Sequence, residues 1–214
     1  MTILEFLSDA LLLQDDELNQ RLLPLVHVRH LKKGELLIRE EDMQTNVYFL
    51  MNGVLRGYFI DGEGCDITDC FCVHCGQAAM SCLSLDAPSP ISIEAVTESD
   101  ILSIPVAVAV PLLQTELPLI HMYNRMLLSA LSMHWELKTL KYQCTAMQRY
   151  QWFLQNYPGL IDTVSNKHIA TFLGMTPVTL SRLRRELREN GLDADRASDS
   201  PSDTLAYGGG GYNL

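Results

Sequence analysis

Residues 165–185 run Ser-Asn-Lys-His-Ile-Ala-Thr-Phe-Leu-Gly-Met-Thr-Pro-Val-Thr-Leu-Ser-Arg-Leu-Arg-Arg, and they constrain the chain more than any other stretch. They read as two short helices joined at Gly174. Ser165 is placed to cap the first helix, which would bury Ile169, Ala170 and Leu173; Ala170 is small, as a close helix crossing requires. Gly174 supplies the positive φ that the turn needs. Thr176 can cap the second helix with its hydroxyl, and Pro177 falls at the first helical position, where a missing N–H costs nothing. Leu180, Leu183 and Leu187 then share one face. The opposite face carries Val178, Ser181, Arg182, Arg185 and Glu189. Such a helix packs its leucines on a small core and presents a cationic edge, as a helix-turn-helix entering a DNA major groove must.

The chemistry of that edge suits nucleic acid. An arginine fork binds guanine bidentately or grips a phosphate. Thr179 and Ser181 have hydroxyls for phosphates or bases, and Val178 can pack on a thymine methyl. Ser165, Lys167, Thr176 and Pro177 complete the candidate contacts.

Charge elsewhere argues against general attraction to DNA. The 214-residue chain has a net charge of −10. Residues 165–190 hold five Lys/Arg and two Asp/Glu, a local +3, so subtracting it leaves −13 for the remainder. Binding must therefore come from a local basic surface, doubled by dimerisation, and weaken with salt. Met1–Leu13 is apolar but contains Glu5 and Asp9 and lacks a basic start, so it does not read as a secretion signal. The most apolar run, Ile101–Leu113, is interrupted by Pro105 and Pro111 and is too short to span a bilayer. A cytoplasmic protein with no membrane partner is expected, its six cysteines thiols or ligands rather than disulfides.

Upstream, residues 1–23 suggest one or two short helices. From Val26 to Pro105 the pattern is short strands and tight turns. Val47–Met51 ends at Asn52-Gly53, a strong hairpin signal, and Val54–Ile60 follows. After Asp61-Gly62-Glu63-Gly64, Ile67–Val73 alternates Ile67, Asp69, Phe71 and Val73 against Thr68, Cys70 and Cys72. Ile91–Val96 and Ile101–Ile104 add two strands. Such spacing implies a small barrel or sandwich. A short helix is expected between Pro105 and Pro118, and Leu117–Tyr142 reads as one long helix. Its apolar residues, among them Ile120, Tyr123, Leu127, Leu128, Leu131, Trp135 and Leu140, cover more than one stripe, so it has two things to pack against. One is the strand domain; the other is a second copy of the helix or, alternatively, more of the same monomer. Ala146–Tyr157 is a further helix, stopped at Pro158-Gly159. After Asn190-Gly191 the composition turns to Asp, Ser, Pro and Gly, a tail too polar to fold.

The order β-rich domain, long helix, helix-turn-helix resembles the cyclic-AMP receptor protein / fumarate-nitrate reduction regulator (CRP/FNR) family of bacterial transcription factors, over roughly residues 5–190. The likeness rests on Lys33-Gly34-Glu35, Tyr48–Gly53, Asp61–Gly64 and Ile93–Val96. It is strongest in Arg149-Tyr150-Gln151-Trp152-Phe153-Leu154, Pro158-Gly159-Leu160-Ile161 and Thr176–Arg182. It implies an α+β fold: a jelly-roll-like cyclic-nucleotide-binding domain over 1–116, a dimerisation helix over 117–142 and a DNA-binding domain over 143–191; the composition of 192–214 adds the expectation of a disordered tail. Implied partners are a pseudo-palindromic DNA duplex, a second copy of the chain, RNA polymerase and an unidentified small-molecule effector. No enzymatic activity and no cofactor are expected.

Two departures qualify the resemblance. Cyclic-AMP-binding members carry a Gly-Glu pair followed by an Arg-Ser or Arg-Thr, which hold the ribose hydroxyl and the cyclic phosphate. The matching stretch here runs Gly76-Gln77-Ala78-Ala79-Met80-Ser81 to Ala87-Pro88-Ser89-Pro90-Ile91-Ser92-Ile93-Glu94, with no arginine between residues 57 and 124. A buried phosphate without a cation is costly, and Asp86 and Glu94 would repel one. The nucleotide site is therefore not carried over. Secondly, the chain runs almost directly from the second helix into the polar tail, so no full β-wing is expected. Where the prototypes place an Arg and a Glu on the recognition helix stand Pro177 and Val178, while Arg182 matches their remaining guanine-contacting Arg, so a different operator is expected.

Cys65, Cys70, Cys72, Cys75 and Cys82 cluster around His74. Cys70 and Cys72 share a strand face, and Cys75 lies just beyond. The spacing matches no regular zinc site; small buried apolar residues and a redox- or metal-responsive cluster are the two readings. His27 and His30 fall on opposite strand faces and do not suggest a shared metal. A cupin-like enzyme would need a His/carboxylate metal set across its strands, and the sequence offers none.

Overall fold

The computed structural model describes residues 1–79 and 87–189. Met80, Ser81, Cys82 and Asp86, and the tail and wing region after Glu189, lie outside the described residues, as do the expectations placed on them.

Among the described residues seven strands form two antiparallel sheets: β1 (His27–Leu31), β2 (Leu36–Ile38), β3 (Asn46–Asn52), β4 (Leu55–Ile60), β5 (Asp66–Cys72), β6 (Ser92–Ala95) and β7 (Ser99–Pro105). One sheet has the order β1-β7-β3 and the other β2-β6-β4-β5. Their facing sides meet in a core built on Leu31, Leu50, Leu55, Cys72, Ile93 and Ile101. The Asn52-Gly53 turn is not the expected hairpin, because β3 and β4 lie in different sheets and do not pair; the chain crosses from one sheet to the other at Gly53, with φ +99°, where a Cβ would run into the Ser99 hydroxyl and the Glu98 carbonyl.

Each sheet is also covered from outside, which is why several strands read as near-continuous apolar runs. Over β3 and β7 lie α1 (Ile3–Glu5), a π-helical turn (Phe6–Ala10), α2 (Asp16–Leu22), a 3-10 turn (Leu23–Leu25), α3 (Val106–Thr115) and the start of α4 (Leu117–Gln143). Phe49, Leu102 and Ile104 point outward into that layer, against Phe6, Leu7 and Met122. The far end of the second sheet is covered by the C-terminal helices α5 (Ala146–Asn156), α6 (Leu160–Thr163), α7 (Asn166–Phe172) and α8 (Pro177–Glu189).

The simple alternation expected along Ile67–Val73 does not hold. The β4–β5 register shifts between Gly57, paired with Cys70, and Tyr58, paired with Thr68. Asp69 is the extra residue of a bulge, which reverses the face of everything before it. Thr68 thus joins Phe71 on the outer side instead of lying with Cys70 and Cys72.

The long helix buries Leu119, Met122, Leu137 and Leu140 and leaves Leu117, Leu128, Leu131, Trp135 and Tyr142 exposed. The exposed set steps by three, four and seven residues from Leu128 onward, an apolar seam on the solvent side of the helix, with the Lys138 ammonium over the Trp135 ring.

Candidate nucleic-acid interface

Helix α7 starts at Ser165, whose hydroxyl accepts the His168 N–H. It stops in a Schellman turn: the Met175 N–H bonds the Ala170 carbonyl at 2.9 Å and the Gly174 N–H bonds Thr171 at 3.1 Å. Gly174 has φ +64°. Thr176 accepts the Thr179 N–H at 3.1 Å, capping α8 as expected, and the two threonine hydroxyls lie 3.0 Å apart. Ile169, Ala170, Leu173 and Leu180 are fully buried, with Leu183 and Leu187 nearly so.

The remaining α8 surface is open. Thr176, Pro177, Val178, Ser181, Arg182 and Arg185 are exposed, and Thr179 is half-buried by its cap partner. Ser165 and Lys167 are exposed at the start of α7. Val178 is 79% exposed, a large apolar residue at the first turn of a cationic helix edge. Arg184, by contrast, turns inward and donates to Asn166 Oδ1 at 2.8 Å, pinning α8 to the start of α7. Arg149 donates to the carbonyls of Lys141, Cys144 and Gly174, tying the turn to the end of the long helix. Arg182 is exposed, while Arg184 and Arg149 hold the motif.

The inner face of α7 is docked on the roll. Thr171 Oγ1 accepts the Thr68 backbone N–H at 3.1 Å, satisfying an edge-strand donor, and lies 3.2 Å from the Thr68 hydroxyl. Phe172 packs edge-on against Phe71 with centroids 5.0 Å apart, within a group that includes Phe153 and Tyr157. Beneath lies Arg56, 2% exposed, reaching Asp66 at 2.7 Å, Glu94 at 2.8 Å and the Thr68 hydroxyl at 3.1 Å, with its guanidinium over the Tyr58 ring. Burial acts to raise the Asp66 carboxyl, but the Arg56 hydrogen bond and charge outweigh it and hold it below its usual range. Glu94 was expected beside a phosphate pocket; it faces α7 and is committed to Arg56. His168 sits over this group. Burial, and then the Arg56 charge, lower its pKa, and its Nδ1 is buried with no hydrogen-bond partner.

Residues 28–116 match the family described as cyclic nucleotide-binding domain. The likeness over that stretch is to this domain family, and the fold of the chain is of the CRP/FNR type. Similar solved structures include FixK2 from Bradyrhizobium japonicum, at 19% identity and TM-score 0.69 over 78% of this chain and 86% of that one. The c-di-GMP-responsive global regulator CLP of Xanthomonas campestris gives 15% identity and TM-score 0.68, over 83% of this chain and 94% of that one. A CooA mutant from Carboxydothermus hydrogenoformans gives 17% and 0.66, over 89% and 86%. At these identities the likeness concerns the fold. No curated protein sequence gives a significant match.

Within the β-roll, Cys70 and Cys72 face the interior. Burial pushes the Cys70 thiol up to about 12 and raises Cys72 as well, so neither supplies a ready thiolate. Cys65 and Cys75 are exposed but flank opposite ends of β5, roughly 20 Å of extended chain apart. Among the described residues no group of three or more His, Cys, Asp and Glu could hold a metal. His30 pairs with Asp100 across β1 and β7 at 2.9 Å, an ordinary surface contact. No single described helix is long and apolar enough to cross a membrane.

The sequence pointed to the caps, the Gly174 turn and the free arginine edge, and the structure brings those residues together. The docking of α7 was not foreseen. Its members, Arg56, Thr68, Phe71, Glu94 and Thr171, are scattered over a hundred residues, and Thr68 reaches them through the bulge. A lone arginine in an apolar strand was the one available signal.

Proposed function

We propose that this chain is a homodimeric, sequence-specific DNA-binding transcriptional regulator of the CRP/FNR type. The observation that carries the reading is the exposed edge of α8, from Thr176 to Arg185, on a helix whose leucines are all committed inward. Arg182 reads a base, Arg185 and Lys167 grip phosphates, and Val178 meets a thymine methyl. The Leu128–Leu131–Trp135 seam of α4 takes the same seam of a second copy, placing two recognition helices about one DNA turn (~34 Å) apart on a pseudo-palindromic operator. RNA polymerase is the downstream partner.

Selection from a random duplex library, followed by binding anisotropy at several salt concentrations, tests this. Arg182→Ala weakens the selected site by about 1–3 kcal/mol and relaxes choice at one base pair, with random DNA little affected. Equal loss on both would make Arg182 a phosphate contact, and failure to enrich any sequence would remove the function. Sedimentation at micromolar concentration checks the dimer separately.

The roll of this regulator does not take cyclic AMP. The stretch Gly76–Glu94 has no basic side chain, and Arg56 is turned outward and saturated by Asp66 and Glu94. A cyclic phosphate needs charge-assisted partners, so calorimetry is expected to find binding no tighter than about millimolar. Micromolar affinity would reinstate the nucleotide site.

A further inference from the structure

The layer between the first sheet and α4 is not fully packed. A cavity of about 60 Å³ lies there, on the outer side of β3 and β7 and therefore away from the roll interior. Its wall draws on the N-terminal segment, both strands, α3 and the first turns of α4. Phe49, Leu102, Met122 and Met126 give it an apolar surface, and the lining includes no charged side chain. Water gains little in such a space, because it needs two or more polar partners.

The N-terminal wall is unusual in its backbone. Phe6–Ala10 is a π-helical turn, and Leu12 is a non-glycine residue at φ +57°. Leu11 and Leu13, on either side of Leu12, both line the cavity. Rare helical turns and left-handed residues of this kind persist where surrounding structure holds them, and they concentrate at ligand-binding walls. Here Arg125 of α4 holds the segment by donating to the Leu11 carbonyl at 2.7 Å. The opposite wall includes two methionines, whose unbranched side chains adapt to what they touch.

The geometry points to this cavity as a binding site for a small uncharged apolar molecule of a few carbon atoms, entered past the Leu11–Leu13 wall. An anionic ligand finds no cation inside, and a nucleotide is far too large. The occupant touches Met122 and Met126 on the same helix whose other face carries Leu128, Leu131 and Trp135, so a bound molecule acts on the seam proposed for dimerisation. The site itself stands independently of DNA binding, and its test uses no DNA.

The test is a titration of the full chain, labelled with ¹³C at the methionine methyls, with xenon. Saturable shifts are expected at Met122 and Met126. Met43, which is 54% exposed, and Met133, in the C-terminal core, serve as controls and should stay unmoved. Ala109→Leu places extra volume against the cavity and should abolish the response. Leu102→Ala enlarges it and should add saturable benzene binding at the same two methyls, which keeps the test decisive if the first variant does not fold. Shifts that are linear and equal at all methionines, or benzene binding in Leu102→Ala that bypasses Met122 and Met126, would overturn the proposal.

Discussion

Helices α7 and α8 belong to one motif yet face different worlds. Helix α7 is enclosed along its inner side: Ile169 and Ala170 pack within the motif, and Phe172 and Thr171 are engaged by β5 of the roll. Helix α8 uses three leucines and Arg184 to stay in place and leaves Val178, Ser181, Arg182 and Arg185 exposed. The difference teaches where each property of the motif resides. Changes on α8 should alter what is bound and leave stability alone, because exposed polar side chains contribute little to folding. Changes at the α7 contact should alter stability and the attachment of the motif to the roll, with no base contact touched.

The largest effect is expected from Phe71→Ala. Phe71 is fully buried and meets Phe153, Tyr157 and Phe172, so truncation removes both its transfer free energy and its packing, about 3–5 kcal/mol. Urea unfolding measures the loss, and amide hydrogen exchange locates it. Exchange should quicken in α7 more than in β3, which lies in the other sheet. Arg182→Ala in the same experiments should stay within about 0.5 kcal/mol of the parent. If Phe71→Ala lowers protection evenly throughout, the roll and the motif unfold as one unit and the contrast between the two helices loses its basis.

What could be read in the sequence follows the same division. The signals for α8 are local: a capping Thr176, Pro177 beside it, Gly174 before it, and leucines at helical spacing. Backbone sterics and capping set these within a few residues, so they needed no knowledge of the fold. The long helix was legible over Leu117–Tyr142 and ends one residue later, at Gln143. The α7 contact was not legible, because it depends on pairing across strands. Arg56, Asp66 and Glu94 come from three different strands, and the bulge at Asp69 reverses the side on which Thr68 falls. The cavity was hidden for a related reason. Its apolar residues read as ordinary core, and a gap in packing leaves no mark on composition or periodicity.

The smallest expected effect is a pH dependence carried by His168, the residue where the α7 contact is least satisfied. Arg56, Asp66 and Glu94 face it from β4, β5 and β6, and Lys167 adjoins it on its own helix. Burial and the Arg56 charge lower its folded-state pKa below the ordinary value of about 6.5, with Asp66 and Glu94 opposing them. The unfolded chain therefore takes up the proton first as the pH falls. Its contribution to stability is full above pH 6.5 or so, declines as the pH drops toward the folded-state value, and levels off below that. His30 works in the opposite sense: its hydrogen bond to Asp100 raises its pKa, so its contribution is present at low pH and lost as the pH rises. The two overlap in the parent, and the informative quantity is the difference between the parent and His168→Gln, from which His30 cancels. Urea midpoints from pH 8 to 5 should separate steadily below about 6.5, with the parent losing stability relative to the glutamine variant. A difference that stays flat across that range would mean that the imidazole reaches solvent when protonated and that α7 rides on the roll less tightly than its contacts to Thr68 and Phe71 imply.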